Sequence, residues 1–243
     1  MTATITTIPT LSVETAELEK VTVPMYRNIH KGIRAELFGV TAAAGSVDPG
    51  EAEAVAAVGE RWRTLVRILV SHAEHEDEFV QPLVEFHAPE LAEVIAVDHP
   101  RLESQMAALE LLTDRAVASC PAERRLLVER VYLGLASFTA EFVQHMEFEE
   151  FRVMPLLSEK ETPERLWAVD HALVASIPPD EMAAALPLML AAMNIDNRVE
   201  ALGGMRATAP AQVFEGVYGL AASVLEPANF AALGARLGIT PAG

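Results

Sequence analysis

A chain of 243 residues with 51% hydrophobic side chains has ample apolar surface for a core and is not a disordered polymer. Its formal charge of −17 excludes the classes that grip nucleic-acid phosphates or an anionic membrane surface, so neither partner is expected. Cys120, the single cysteine, excludes an internal disulfide framework and a thiolate-rich zinc site.

The first 23 residues, rich in threonine, read as a loose lead-in. They lack the basic and apolar regions of a secretory signal, and a cytoplasmic location is expected. Beyond them glycine and proline are widely spaced, alanine, leucine and glutamate dominate, and alternating β-branched runs are scarce, so the fold class is all-α. Pro24 opens a first helix predicted to reach about Ala44, followed by the turn AGSVDPGE. A second helix runs from near Pro49 to about Phe86, bent near Pro82. Residues 87–97 read as a connector with a short helix in ELAEVIAV, and a third helix starts at Asp98, carries Pro100 in its first turn and ends near Cys120. A fourth runs from there to about Leu157. Four long amphipathic helices with short connections predict an antiparallel up-down four-helix bundle over residues 24–158. Residues 159–243 carry frequent proline and glycine and read as four or five short helices, packed on the bundle or forming a homodimer contact with a second subunit. Their longest apolar run, AAALPLMLAAM at 183–193, is too short to cross a bilayer.

Steps of three and four residues define the inner faces. The second helix gives Val55, Val58, Trp62, Leu65, Leu69, His72, Glu76, Phe79 and Leu83, and the fourth gives Val131, Leu135, Phe138, Phe142, His145, Glu149, Val153 and Leu156. Each is an apolar seam interrupted by an inward histidine and an inward glutamate. The first helix places Tyr26, His30, Ile33, Leu37 and Val40 on one stripe, and the third places His99, Leu102, Met106 and Leu109. Tyr26 reads as a core residue one turn from His30. His75, His87 and His171 read as surface histidines, and Asp77 and Glu78 as a solvated face.

At ~1.5 Å per residue, His30 lies about 20 Å from the end of its helix and His99 about 30 Å from the end of its own, while His72 and His145 lie about 33 and 36 Å into theirs. In an up-down bundle all four fall near one end, within two turns. Four histidines and two glutamates at one level of an apolar core need compensation, because an unpaired buried carboxylate costs several kcal/mol. The seams offer no inward Arg or Lys there. A pair of divalent metal ions would compensate, with Glu76 and Glu149 bridging and His30, His72, His99 and His145 capping. Nitrogen and oxygen donors suit iron or manganese, and less specifically zinc.

The stretches YRNIHKGIRAEL, LVSHAEHEDEF, VDHPRLESQM and FVQHMEFEEF, within residues 24–157, resemble the hemerythrin-like family, also called the HHE cation-binding domain. The resemblance implies a four-helix bundle with a non-haem di-iron centre, two iron ions being its cofactor, and O2, peroxide or nitric oxide as small ligands. The pattern departs from the oxygen-carrying members. Their third helix has His-x-x-x-His where Glu103 stands here, and their fourth has His-x-x-x-x-Asp, an offset filled here by Glu150 rather than Glu149. Glu149 and Leu102 hold the seam positions, which leaves Glu103 and Glu150 as further candidate ligands. The departures bring the pattern nearer the iron-sensing hemerythrin domain of an F-box ubiquitin-ligase subunit and argue against reversible O2 carriage. The leading expectation is a centre that reacts with O2 or peroxide, as an oxidase, oxygenase or peroxide-consuming enzyme. The alternatives are a non-enzymatic sensor or handler of iron, O2 or nitric oxide, and a metal-free bundle with a polar core network.

Overall fold

The computed structural model describes residues 19–239. The first 18 residues of the expected lead-in lie outside the described residues, and Val23, near its end, is already buried. The bundle consists of α1 (Arg27–Ser46), α2 (Ala52–Phe79), α4 (Pro89–Ala118) and α5 (Pro121–Phe148), with the short α3 (Gln81–His87) between the second and third. Neighbours in contact are α1 with α2, α2 with α4, α4 with α5, and α5 with α1, so α2 and α5 face each other across a diagonal. The fold is the all-α bundle expected from the periodicity.

Helix boundaries follow local chemistry in most places. The expected bend near Pro82 is a break at Val80, two residues earlier, because Pro82 has no N–H to offer the carbonyl of Glu78. Gln81 then turns inward and its Nε2 donates to the Ala92 carbonyl at 2.9 Å. The third bundle helix corrects the sequence reading. It starts at Pro89, well before Asp98, and Pro100 lies in its interior. An interior proline costs about 3 kcal/mol, but the stripe Ala92, Ile95, His99, Leu102, Met106 and Leu109 runs unbroken through it and is buried throughout. Burial of Ala92 and Ile95 outweighs the lost hydrogen bond.

The fourth helix also differs from an unbroken run to Leu157. A π-helical segment, Glu149–Val153, separates α5 from α6 (Met154–Lys160), and the Met154 N–H donates to the Glu149 carbonyl five residues back. Pro155 supplies the cause, since it lacks the N–H that an α-helix would aim at the Phe151 carbonyl.

Five helices follow: α7 (Pro163–Ser176), α8 (Pro179–Ala192), α9 (Ile195–Thr208), α10 (Ala211–Val224) and α11 (Pro227–Arg236). Proline in the first turn starts α7, α8 and α11, and the Asn194 side chain caps α9 by accepting from the Asn197 N–H at 2.9 Å. Residues from α8 to α11 and the segment beyond build a separate apolar cluster around Leu190, Leu202, Ala221 and Leu233. The tail docks on the bundle through α8, which lies along α1, and through α7, which touches α2 and α6. Among the described residues, no single helix is long and apolar enough to cross a membrane.

Gly32 sets how closely α8 approaches. A Cβ there would lie 3.1 Å from the backbone atoms Leu188 C and Met189 N. Gly204 in α9 has nothing within 4 Å. Gly32→Val is expected to cost about 1–3 kcal/mol by overpacking and to speed proteolysis of the tail. Gly204→Ala is expected to be neutral or to stabilise by about 0.5–1 kcal/mol. Urea denaturation of the two variants, beside the parent, checks both.

Candidate metal centre

Along every bundle helix the same order recurs: an apolar residue of one cluster, a polar residue, then an apolar residue of another. Tyr26, His30 and Ile33 do this on α1, and Leu69, His72, Glu76 and Val80 on and just beyond α2. Ile95, His99 and Leu102 repeat it on α4, and Phe142, His145, Glu149 and Val153 on α5 and the π segment. The six polar residues therefore form a layer between two apolar clusters. His30 and Glu149 are 0% exposed, Glu76 3%, and His99 and His145 5%, so the layer is dry. His72 is half-buried.

The donors assemble into two groups of four, His30, His72, Glu76 and Glu149 on one side and Glu76, His99, His145 and Glu149 on the other. Within each group the ligand atoms lie within 4.8 Å of one another. Glu76 points Oε1 at His72 Nε2 (3.1 Å) and Oε2 at His99 Nε2 (3.6 Å). Glu149 points Oε2 at His30 Nε2 (3.4 Å) and Oε1 at His145 Nε2 (3.2 Å). Each carboxylate thus addresses both groups, one oxygen to each. Two donors about 2.1 Å from a shared ion stand about 3.0 Å apart at a right angle and about 3.4 Å apart at a tetrahedral angle. Three of the observed spacings, 3.1, 3.2 and 3.4 Å, fall in that range, and the fourth, 3.6 Å, lies just above it.

All four oxygens of Glu76 and Glu149 are buried without a hydrogen bond, and so is His99 Nε2. Acceptor atoms converging on one another in a dry layer repel unless protons or cations lie between them. Burial, and then the charge of Glu149, pushes the Glu76 carboxyl well above its ordinary value. Glu149 goes the other way. Burial opposes its ionisation, yet His145 and then His30 hold it down at about 2. Burial and then neighbouring His30 push the His72 imidazole down to about 3, so it presents a neutral ring with a lone pair. This donor set fits two divalent cations sharing two carboxylates.

The outer nitrogens of His30 and His99 are hydrogen-bonded, and that of His145 has an acid nearby but no hydrogen bond. His30 Nδ1 donates to Glu150 Oε1 at 3.0 Å, and Glu150 in turn receives two bonds from the Arg34 guanidinium, at 2.8 and 2.7 Å. His99 Nδ1 donates to Asp77 Oδ1 at 2.9 Å, and His145 Nδ1 lies 3.4 Å from Asp98 Oδ2. For His30 and His99 a carboxylate on Nδ1 fixes the tautomer that leaves Nε2 able to ligate. The π segment makes one of these contacts possible. Its wider turn lets the consecutive Glu149 and Glu150 reach opposite nitrogens of the same His30 ring.

The structure brings together all six residues chosen from the seams and leaves the two further candidates outside. Glu103 is exposed, at the rim of a small cleft bordered by His72, Glu76, His99 and His145. Glu150 belongs to neither donor group and supports His30 from behind. Tyr26 is buried as expected, its ring stacked on His30 at 4.9 Å between centroids and edge-on to His72 at 6.4 Å. Burial, then the charges of Glu76 and Glu149, keeps its phenol protonated well past the ordinary range. His171 is exposed, but His75 and His87 are half-buried, His87 pairing with Glu161 at 2.7 Å. Asp77, Asp98 and Arg34 lie off the inward stripes and periodicity does not single them out, while Glu150, offered as a ligand by the family pattern, stands instead behind His30. The available signal is their position next to, or one turn from, an inward ligand.

A cavity of about 230 Å³ opens beside this layer, walled by α1, α2, α7 and α8, with Tyr26, His72, His75 and Glu76 at its inner surface.

Residues 21–157 match the family model described as Hemerythrin HHE cation binding domain. The chain belongs to this family. The match ends within α6, so the hemerythrin HHE domain comprises the bundle, and α7–α11 lie beyond it. Among curated proteins, the zinc finger protein BRUTUS of Arabidopsis thaliana is similar, with 24% identity over 171 residues, covering 70% of this chain and 13% of that protein. The chain therefore corresponds to a small part of that relative. No solved structure matches it at a significant level.

The Glu150 contact makes a pH prediction. Burial opposes ionisation of Glu150, but His30 and Arg34 hold its carboxyl at about 2, below its ordinary 4.5. A lowered folded value means that the stabilisation is fully present above about pH 4.5 and fades as pH falls towards 2. In metal-stripped protein, the stability difference between the parent and Glu150→Gln is expected to be constant above that range and to shrink through it, measured by chemical denaturation at stepped pH.

Proposed function

We propose that His30, His72, His99 and His145 hold two iron ions bridged by Glu76 and Glu149, and that the reduced centre reacts with O2 or peroxide as an oxidase, oxygenase or peroxide-consuming enzyme. The observation that carries this reading is the set of four buried carboxylate oxygens with no partner, each aimed at imidazole nitrogens. Nitrogen and hard oxygen donors favour iron or manganese over softer metals, and the absence of thiolate from the set agrees. Each group offers four protein donors, which leaves room for a small exogenous ligand on a metal that accepts five or six.

Iron bound there would supply one-electron steps and open positions for O2 or peroxide. The chain's own residues do the rest. Asp77 and Glu150 fix ring orientation through the outer nitrogens, and Asp98 sits beside that of His145. Leu69, Leu102, Phe142 and Met146 exclude bulk water on one side, and Val80, Ile95 and Val153 do so on the other. Tyr26, kept protonated, lies against His30 on the cavity wall. The cavity favours an enzyme over a closed sensor, since it leads from the outside of the bundle to His72 and Glu76.

Anaerobic loading with ferrous ion is expected to give about two irons per chain, and admission of air a new near-ultraviolet and visible absorption. Glu76→Ala and Glu149→Ala are expected to lose both while keeping the helical circular dichroism. Repeated consumption of O2 or peroxide with added reductant supports the enzyme. One stoichiometric oxidation followed by a change in association state would replace it with the sensor reading. Protein that takes up no iron overturns both.

A further inference from the structure

The large cavity has a chemistry of its own. Its open volume is about 230 Å³. An apolar cavity of ~150 Å³ accommodates benzene, so this one has room for a ring with a short chain. Most of its wall is hydrocarbon, from Met25 and Ile29 on the α1 side to Leu173, Ala185 and Met189 on α7 and α8.

The polar groups on the wall are unequally placed. Arg67 is exposed and its Nη2 donates to Thr64 Oγ1 at 3.0 Å, one turn back along α2. Ser71 Oγ donates to Glu181, and His75 Nδ1 donates to the Ser71 carbonyl at 2.6 Å, so these groups are already satisfied. Asp170 differs. It is half-buried on α7, lines the cavity, and makes no hydrogen bond or ion pair among the described residues. Burial pushes its carboxyl up, against the pull of neighbouring His171. With Asp180 and Glu181 also on the wall, acids outnumber the single guanidinium, which is exposed and bonded to Thr64. An anionic ligand meets repulsion here, and a plain hydrocarbon leaves Asp170 without a partner.

We propose that the cavity binds a small apolar amine, such as an arylalkylamine, with its ammonium on Asp170 and its hydrocarbon body against Met25, Ile29 and Met189, beside His72 and Glu76. As a substrate class this rests on the reactive-centre reading above. As a binding site it stands independently, and the two can fail separately.

The test titrates 2-phenylethylamine, 2-phenylethanol and 3-phenylpropanoate into anaerobic iron-loaded protein and into metal-stripped protein, by isothermal calorimetry. The amine is expected to bind at least tenfold more tightly than the alcohol, and the carboxylate not detectably. Asp170→Asn is expected to abolish the amine's advantage while leaving iron content and the air-induced absorption unchanged. Ala185→Leu, which narrows the cavity, is expected to weaken the amine and the alcohol together. Equal affinity for amine and alcohol, or an amine preference that survives Asp170→Asn, overturns the proposal even where iron binding and absorption are intact. An amine preference that depends on Asp170 in protein taking up no iron supports the site and removes the reactive centre.

Discussion

Two glutamates that face each other in a dry layer constrain everything around them. Glu76 and Glu149 reach the middle of the bundle from diagonal helices, and none of their four oxygens has a hydrogen bond. Bare, the pair is a standing repulsion that protonation relieves in part and a shared cation relieves fully. The four imidazoles around them then read as the remaining donors, and the outer acids as the means of aiming those imidazoles. Even the irregular backbone fits. Pro155 opens a π turn, and the turn sends two successive glutamates to the two nitrogens of His30. Apolar packing flanks the layer on both sides, with Trp62 edge-on to Phe138 in one cluster and Leu157 and Leu166 buried in the other.

What could be read in the sequence was whatever depends on helical spacing alone. His72 and Glu76, like His145 and Glu149, stand four residues apart on otherwise apolar stripes, and that spacing suffices to turn them inward. His30 and His99 follow from the same stripes. The family's cation-binding character followed from those residues too. Glu150 could not be placed that way, because its position depends on a π turn that spacing arguments with a 3.6-residue period do not contain. Asp77 and Asp98 point off their own stripes, and only the packing of α2, α4 and α5 brings them behind His99 and His145. Pro100 misled in the other direction. Local chemistry marks it as a helix start, but the buried stripe from Ala92 to Leu109 carries the helix straight through.

The tail gives the family's bundle something periodicity could not show. The α8 helix leans on α1 at the close approach of Gly32 while α7 touches α2, and the space they leave becomes a cavity with Glu76 and His72 on its wall. A half-buried acid without a partner, Asp170, sits on the tail side of that space. The bundle thus carries the candidate donors, and tail helices wall the cavity beside them. Glu103, which stands where the oxygen-carrying pattern has a second histidine, is exposed. The two donor groups are consequently alike, with two imidazoles each and both carboxylates shared.

The central claim is that two metal ions lie between these donors. Anomalous diffraction from crystals of the iron-loaded protein, collected on both sides of the iron absorption edge, tests it most directly. The account predicts two iron peaks about 3.5–4 Å apart, one beside His30 and His72, the other beside His99 and His145, with Glu76 and Glu149 spanning the gap. A map with no iron peak in this layer, or with a single peak bound to surface acids, would contradict it.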